Sequence, residues 1–412
     1  MKLFGFALVI TLPEVIDFTD KSLAQERWCW MHKIDFARPI IGDEEKQAVL
    51  ACLDSPQLVH GPRSIEFEEN FTQFMGGGFS TSTSSATTAL QLAYLTLGIG
   101  LGDEVIIPSL THVATANAVL SVGAKPVFVD INSHDGNISI EEIQKAISVN
   151  TKAICVVHYL GVPVAMDMVM QIAKHNNLFV VEDCALALGA RVGGTHVGLL
   201  GDFGAFSFYP AKHITTGEGG MLVSKDKNLI GESRKIKAFY YDKGVGDRKI
   251  PGLYDIVGFG LNLRMSEIAA TLGIVQLRKI ANFLKTRKNN FEVLSTTIGQ
   301  SSYGALLPGN RSAAESAYYC AAFVLRPEFS GKRNALALEM NKRGIGTSIY
   351  YPVALPLSTF YRSNKELSKT ISYDNADTLA NSNIALGVGP HISNEEISFV
   401  GESLISALEE IL

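Results

Sequence analysis

The sequence is poor in cysteine, and the few cysteines it has are widely separated. There are five in 412 residues, an odd number, and no pair has the Cys-x-x-Cys spacing of a zinc or redox site. This argues against a disulfide framework and against a metal centre, and it fits a chain that stays in a reducing cytoplasm. The cysteines are Cys29, Cys52, Cys155, Cys184 and Cys320.

Charge is also scarce. Charged residues make up 19% of the chain, the formal net charge is −5, and no long block of like charge occurs. Nucleic-acid binding requires a basic face, so we do not expect nucleic acid as a partner. The hydrophobic content of 47% is that of a globular protein with an ample core, and 412 residues suggest two or three domains.

An apolar run near the start of the chain is not long enough to be a membrane span. Lys2 is followed by an apolar run from Leu3 to Leu12, which is too short to span a bilayer. No small-residue cleavage site follows it. We therefore expect no membrane partner and interpret residues 1–32 as an N-terminal extension, either a loose arm or an upstream extension of the reading frame. A large domain, 33–265, and a small C-terminal domain, 266–412, would follow.

Short apolar segments alternate with helical patterns through the first half of the chain. The predicted helices include Ala86–Leu97, His112–Val122 and Asp167–Asn176. Strands that are apolar throughout and are separated by helices favour a mostly parallel sheet covered on both faces. In such sheets, ligands bind at the carboxyl ends of the strands. The predicted strands are Glu104–Ile107, Pro126–Val129, Ala153–Val157, Leu178–Glu182, Phe203–Phe208 and Met221–Val223.

The pattern changes after Lys225 and predicts a second, smaller α+β domain. Ser266 is placed to cap a long helix that we expect to end at Phe291. Further predicted elements are the strand Ala321–Leu325, the helix Arg333–Arg343, the strand Thr347–Tyr351 and the helix Asn394–Leu408.

One lysine follows a buried strand and enters a glycine-rich loop. The segment 206–220 reads FSFYPAKHITTGEGG and contains Lys212. Burial disfavours the charged form of a lysine, and a neutral amine can form a Schiff base with a carbonyl cofactor. Glycines allow close backbone approach or a positive φ. Taken alone, such a lysine is more often an ordinary surface residue.

Two upstream features favour the chemical interpretation of Lys212. The segment 84–88, SSATT, precedes a predicted helix, whose free N–H groups and dipole suit a phosphate; simple N-capping is the alternative. Asp183 ends an apolar strand, where a carboxylate can keep a ring nitrogen protonated; a turn-forming role is the alternative. A phosphate cradle, an acid and a lysine together are what pyridoxal 5′-phosphate requires.

Four long motifs in the same order strengthen this interpretation. They read SSATTALQLAYLTLGIGLGDEVIIPSLTHVAT, VEDCALALGA, GAFSFYPAKHITTGEGG and LNLRMSEIAATLG. From about Ile34 to its end, the chain resembles the DegT/DnrJ/StrS family of sugar-nucleotide aminotransferases. The resemblance implies an α/β fold of the pyridoxal-phosphate transferase type I, with a mostly parallel seven-stranded sheet in the large domain and a small α+β domain.

The resemblance also implies roles for individual residues. Lys212 would form the Schiff base and shuttle the proton, and Asp183 would pair with the pyridine nitrogen. His112 matches the position where the family stacks an aromatic ring on the cofactor, although a packed helix histidine is the alternative. Ala86, Thr87 and Ser207 would bind the phosphate, whereas Asn262, supported by Arg264, would reach the cofactor of a neighbouring subunit in a homodimer.

The sequence departs from the family pattern at several positions. Leu186 stands where many members carry His or Gln near the phenolic oxygen of the cofactor, and leucine cannot donate a hydrogen bond. Leu263 replaces an aromatic residue, and the segment 350–358 lacks a histidine found in many relatives. Some relatives replace the lysine by histidine and catalyse a dehydration. Here the lysine is present, with His213 beside it.

These features together predict a cytoplasmic pyridoxal-phosphate aminotransferase. Its amino donor would be an amino acid such as glutamate, and its acceptor a keto-deoxy sugar carried on a nucleotide. The product would serve the biosynthesis of a surface polysaccharide or another amino sugar. The alternatives are a pyridoxal-phosphate dehydratase acting on a sugar nucleotide and a regulatory homologue without turnover.

Overall fold

A computed structural model describes residues 33–242, 248–250, 252–310, 314–364, 367 and 372–412. The predicted N-terminal extension, 1–32, lies outside this range. None of the helices in the described part of the chain combines the length and the apolar composition that crossing a bilayer requires.

Seven strands form one large sheet: β1 (Phe79–Thr83), β2 (Glu104–Pro108), β3 (Lys125–Val129), β4 (Thr151–Val157), β5 (Phe179–Asp183), β8 (Phe203–Ser207) and β9 (Gly220–Ser224). Their order across the sheet is β1-β9-β8-β5-β4-β2-β3. The run from β3 to β8 is parallel, whereas β8 pairs with β9, and β9 with β1, in antiparallel fashion. The expectation of a mostly parallel sheet is therefore confirmed.

Strand β1 was not predicted from the sequence. It reads FSTST, and its four Ser and Thr side chains are almost fully buried. The carboxylate of the buried Glu68 accepts hydrogen bonds from the Ser82 N–H at 2.7 Å and from the Ser82 hydroxyl at 2.9 Å. Because hydrogen bonding rather than apolar burial satisfies this strand, no hydrophobic pattern identifies it.

Helices cover both faces of the large sheet. In β2, Ile106 packs with Ile143 and Val169 on one face, and Val105 packs with Leu90 on the other. This alternation is what a fully covered strand requires. The helices of this region are α1 (Asp43–Leu53), α2 (Pro62–Met75), α3 (Ala86–Thr96), α4 (Val113–Ser121), α5 (Ile140–Ala146), α6 (Met166–Asn176) and α7 (Lys227–Ile236).

One long helix, α8 (Glu267–Ile298), connects the two halves of the chain. Ser266 caps it as predicted, but its predicted end at Phe291 is wrong because the helix continues for seven more residues. Its first half packs through Ile274 and Leu277 beside the large sheet, whereas Leu294 and Ile298 belong to a separate core. The domain boundary at 265 and 266 stays a prediction, since this helix takes part in both cores.

The second core contains a smaller antiparallel sheet of the strands β10 (Gly304–Leu306), β12 (Ala321–Leu325), β14 (Asn383–Leu386) and β13 (Thr347–Ser348), in that order. The predicted strand Thr347–Tyr351 ends early, at Ser348, because Tyr350 and Tyr351 leave the sheet and join an aromatic cluster. A third sheet joins the short strands β6 (Arg191–Val192), β7 (Thr195–His196) and β11 (Ala314–Glu315). The helices of this part of the chain are α9 (Arg333–Lys342), α10 (Thr359–Ser363), α11 (Asp374–Ser382) and α12 (Asn394–Ile411).

A buried glutamate in β5 fixes the loop that leads into β8. The Glu182 carboxylate accepts hydrogen bonds from the N–H groups of Gly198, Leu200 and Gly201 at 2.7 to 2.8 Å, and it lies 3.0 Å from His158 Nε2. Burial raises the pKa of Glu182, but the hydrogen bonds from His158 and the backbone outweigh this, so that the pKa lies below its ordinary value. Glu182 therefore stabilises the folded chain in its charged form.

Replacing this carboxylate should destabilise the protein in a pH-dependent way. We expect Glu182→Gln to lower the free energy of unfolding by about 3 kcal/mol at pH 7, because it removes a buried carboxylate and leaves backbone N–H donors without their acceptor. A lowered folded pKa contributes stability above the unfolded pKa, and this contribution is lost as the pH falls through the folded pKa. In urea unfolding, the difference in the free energy of unfolding between wild type and variant should stay constant from about pH 7 to pH 5. This difference should become smaller below about pH 4. Glu69→Gln, at an exposed position of the helix α2, is the control; equal losses in both variants at every pH would contradict this account.

Candidate functional site

A cleft of about 420 Å³ opens at the carboxyl edge of the parallel strands. Asp183 ends β5 and Ser207 ends β8, and the helix α3 begins beside them. Six of the eight predicted site residues line this one cleft, so a single small molecule can touch them all. They are Ala86, Thr87, His112, Asp183, Ser207 and Lys212.

The amino terminus of α3 provides neutral hydrogen-bond donors at one end of the cleft. Ser85 caps the helix through its Oγ, which accepts the N–H of Thr88 at 3.1 Å. The N–H groups of the first helical residues, Ala86 and Thr87, have no partner within the helix. Together with the helix dipole, they form a suitable place for a phosphate. Capping and anion binding are therefore compatible here, since they use different N–H groups.

The glycines of the GEGG segment bring the backbone against this helix. A Cβ atom on Gly220 would lie 2.4 Å from the carbonyl carbon of Ser85 and 2.6 Å from the Ala86 nitrogen. Gly217 has a φ of +79°, which L side chains rarely adopt. The requirement at Gly220 is thus close packing against α3, and it keeps the amino terminus of α3 beside the end of β8.

The Asp183 carboxylate is buried and held by two donors. Asp183 is only 5% exposed. Oδ2 accepts a hydrogen bond from Thr115 Oγ1 at 2.8 Å, and Oδ1 accepts the Ala185 N–H at 3.1 Å. These bonds fix the orientation of the carboxylate toward the cleft. Sequence reasoning missed Thr115, because a threonine inside a helix carries no special signal.

Lys212 is positioned for amine chemistry. Its backbone N–H donates to the Tyr209 carbonyl at 2.8 Å, and its Nζ lies 5.3 Å from the centroid of the Tyr319 ring. Burial lowers the pKa of Lys212 to about 8, and the Asp183 carboxylate opposes this effect. At pH 7 about a tenth of this amine is then neutral, compared with about one part in three thousand for a lysine with a pKa of 10.5.

His112 is a helix cap rather than the helix residue that the sequence predicted. Helix α4 begins at Val113, and His112 Nδ1 accepts the N–H of Ala114 at 3.1 Å. Burial and the nearby Lys212 lower the pKa of His112. The imidazole is therefore mainly neutral at pH 7. His112 lines the cleft and is exposed, so it is not a fully packed histidine.

The cleft is also lined by residues that were not predicted as ligands, among them Leu186, Tyr209, Glu218 and Tyr351. Leu186 is 3% exposed and belongs to the apolar core. His213 does not line the cleft; its Nε2 lies 2.9 Å from the Ala317 carbonyl in a buried position. His213 therefore does not reach the cleft, although it follows Lys212 directly in the sequence.

Asn262 and Arg264 lie outside the cleft of their own chain. Their segment is tied to the SSATT turn by a hydrogen bond from the Ser84 N–H to the Leu263 carbonyl at 2.9 Å. Asn262 is exposed, and the Arg264 guanidinium carbon lies 5.1 Å from the Phe239 ring centroid. Within the described residues, the buried Arg264 Nε has no hydrogen-bond partner. This placement leaves the predicted role toward a neighbouring subunit as a prediction.

The residues of the cleft fit pyridoxal phosphate. Free helix N–H groups can hold the phosphate, a fixed and buried carboxylate can hold the protonated ring nitrogen, and a partly neutral lysine can bind the carbonyl carbon. The imidazole of His112 can lie against the ring. The cofactor assignments of these residues remain predictions, but the geometry brings all of them within reach of one ligand.

Comparison with known proteins gives consistent results. A model of the DegT/DnrJ/EryC1/StrS aminotransferase family matches residues 39–405. GDP-perosamine synthase of Escherichia coli O157:H7 is 33% identical over 377 residues, which are 91% of this chain and 98% of that protein.

Solved structures agree with this result. The PLP-form of a putative sugar aminotransferase from Streptococcus pneumoniae has a TM-score of 0.86 at 27% identity, covering 92% of this chain and 100% of that chain. Helicobacter pylori PseC, an aminotransferase involved in the biosynthesis of pseudoaminic acid, has a TM-score of 0.85 at 27% identity, with the same coverage.

The lowered pKa of Lys212 predicts how the cofactor-free protein takes up pyridoxal phosphate. The neutral amine is the reactive form, so the rate of uptake should rise with pH and reach half its maximum near pH 8. Stopped-flow absorbance at fixed cofactor concentration measures this rate. The free amino group of N-acetyl-lysine amide, under the same conditions, should still be accelerating above about pH 10. A protein profile that follows the model amine would contradict the assignment.

Proposed function

Because the chain belongs to the DegT/DnrJ/EryC1/StrS aminotransferase family, we propose that it transfers an amino group from L-glutamate to the keto group of a nucleotide-linked deoxy sugar. The chain is a pyridoxal-phosphate-dependent aminotransferase, in keeping with the family match over most of its length and with the PLP-form of the structural neighbour. The donor, the sugar and the nucleotide carrier are the proposed part.

The names of several relatives support a sugar substrate. GDP-perosamine synthase is named for an amino sugar on a nucleotide, and PseC acts in the biosynthesis of another amino sugar. The spore coat polysaccharide biosynthesis protein SpsC of Bacillus subtilis is 30% identical over 90% of this chain. We therefore propose that the amino sugar enters a polysaccharide or a related glycan.

The single observation that carries the proposal is the convergence of Lys212, Asp183 and the amino terminus of α3 on one cleft. When bound, pyridoxal phosphate supplies an electrophilic carbonyl and a ring that accepts electrons. Asp183 would hold a proton on the ring nitrogen and so strengthen the ring as an electron acceptor. The helix N–H groups of Ala86 and Thr87, with the Ser207 hydroxyl, would bind the phosphate.

Lys212 would move the proton in both halves of the reaction. In the first half, its neutral Nζ would take the proton from the α-carbon of the amino acid and pass it on. The amino group would stay on the cofactor, and water would supply the oxygen with which the amino acid leaves as a 2-oxo acid. In the second half, the Lys212 ammonium would return a proton to the sugar carbon that receives nitrogen. A pKa of about 8 suits both tasks, since the donor and acceptor forms are both populated near neutral pH.

A homodimer with shared sites is also proposed. The phosphate of the cofactor and the carboxylates of glutamate are anionic. Among the described residues that line the cleft, Lys212 and His112 are the nitrogen bases that can offset this negative charge. Asn262 and Arg264 lie outside this cleft and are available to a second subunit. We propose that they complete the phosphate end of the partner's site.

Labelled glutamate tests the reaction directly. The protein with ¹⁵N-glutamate and a panel of nucleotide-linked keto sugars should yield a nucleotide-linked amino sugar that carries ¹⁵N, detected by mass spectrometry. Lys212→Ala should lower turnover at least about a hundredfold, whereas Lys152→Ala, at an exposed lysine of β4, should leave it unchanged. A deoxygenated sugar without nitrogen would replace the proposal with the dehydratase alternative, and no product from any sugar would contradict a sugar substrate.

Hybrid dimers test the shared site. Lys212→Ala and Asn262→Ala should each be weakly active alone at limiting cofactor. When the two variants exchange subunits, one site of each mixed dimer regains Lys212 from one chain and Asn262 from the other. Activity should then rise toward about a quarter of that of wild type, since half of the dimers are mixed and each has one complete site. Activity that stays at the average of the two separate variants would show that Asn262 does not act across the interface.

A further inference from the structure

Three groups in the cleft would fix three positions of the pyridoxal-phosphate ring and leave one without a partner. Asp183 would hold the ring nitrogen, the amino terminus of α3 would bind the phosphate on C5, and Lys212 would react at the carbonyl carbon on C4. The remaining polar atom is the phenolic oxygen on C3, beside the carbonyl carbon. An oxygen that carries negative charge in a partly buried site requires a hydrogen-bond donor, because its desolvation is otherwise uncompensated.

The wall of the cleft at Leu186 cannot provide this donor. Leu186 follows Asp183 by three residues, is 3% exposed and packs in the same apolar core as Tyr159. Its side chain contains no polar hydrogen. Any donor must come from another residue that lines the cleft.

Tyr351 lines the same cleft and carries an unused hydroxyl. Within the described ranges, no hydrogen bond to this hydroxyl is found, and the side chain is partly buried. Three aromatic rings hold the Tyr351 ring in place, at centroid distances of 6.0 Å for His112, 5.3 Å for Tyr350 and 6.5 Å for Tyr159. The hydroxyl is thus presented by a ring that packing has already fixed.

The hydroxyl of Tyr351 remains a donor at neutral pH. Burial raises the pKa of Tyr351 well above its ordinary value, and the negative charge of Asp183 adds to this effect. The phenol therefore keeps its proton next to an anionic acceptor, as donation requires.

Other hydroxyl groups along the cleft are engaged or less well placed. Thr111 Oγ1 lies 2.8 Å from Thr115 Oγ1. Ser85 Oγ accepts the Thr88 N–H and lies 3.2 Å from Thr88 Oγ1. Thr87 and Ser207 belong to the phosphate end. Tyr209 is 50% exposed, so its ring is largely in water. Tyr351 is the candidate that combines a fixed ring with a hydroxyl whose hydrogen-bonding capacity is unused.

We propose that the Tyr351 hydroxyl donates a hydrogen bond to the phenolic oxygen of the bound cofactor and takes the place that Leu186 leaves without a donor. Tyr351 comes from the segment after β13, so this contact would tie the C-terminal half of the chain to the cofactor. This inference rests on the cofactor and not on the proposed sugar substrate. The Tyr351 contact and the sugar substrate can therefore be tested separately, and disproving one does not disprove the other.

The visible absorbance of the resting, cofactor-loaded enzyme provides the test without turnover. A donor to the phenolate favours the deprotonated form of the chromophore. We expect Tyr351→Phe to raise the midpoint of the spectral pH titration by about one pH unit, since hydrogen bonds to charged groups contribute about that much. Adding Leu186→Gln to the Tyr351→Phe variant should reverse most of this shift and bring the midpoint back toward the wild-type value, because the glutamine amide is a hydrogen-bond donor. Tyr361→Phe, whose hydroxyl lies 3.3 Å from Asn117 Oδ1, should leave the midpoint unchanged.

Binding of an analogue provides a second readout that does not depend on the spectrum. The dissociation constant of pyridoxal phosphate should rise about tenfold in Tyr351→Phe. The dissociation constant of 3-deoxypyridoxal phosphate, which lacks the phenolic oxygen, should be the same for both proteins. An unchanged spectral midpoint in Tyr351→Phe, an equal shift in Tyr361→Phe, or an equal loss of affinity for both ligands would each overturn the inference.

Discussion

The site depends on two groups of opposite charge, Asp183 and Lys212, that are held out of water at one edge of a parallel sheet. Asp183 lies in register with Val157 of β4 and Ala205 of β8. The chain then leaves β8 at Ser207 and reaches Lys212 five residues later. Both residues therefore line the cleft at the carboxyl edge of these strands. Burial alone would push the amine toward its neutral form, and the carboxylate limits that shift so that both forms are present near neutral pH.

The sequence was informative where apolar burial determines the structure. The strands around Ile106, Ile154 and Val181 are apolar on both faces, and they were predicted nearly to the residue. Helix α3 was predicted from its stripe of small and aliphatic residues and from the hydroxyl groups that precede it. Six predicted site residues lie in one cleft because parallel strands present their carboxyl ends at a common edge.

Features satisfied by hydrogen bonds could not be predicted in this way. Strand β1 consists largely of buried Ser and Thr residues. Its partner Glu68 comes from the preceding helix α2, and its partner Arg234 lies 154 positions from Ser80. Thr115 reaches Asp183 across 68 positions, and Tyr351 enters the cleft from the C-terminal half of the chain. Hydrophobic periodicity carries no information about such contacts. The domain boundary and the roles of Asn262 and Arg264 remain predictions for a related reason, since they depend on a helix shared by two cores and on a second subunit.

Chemical trapping of the lysine tests the central claim most directly. Borohydride reduction of the cofactor-loaded protein, followed by peptide mapping, identifies the nitrogen that holds pyridoxal phosphate. We expect the reduced cofactor on the peptide that contains Lys212 and on no other lysine. Attachment at a different lysine, with Lys212 unmodified, would contradict the account of how the sheet edge creates this site.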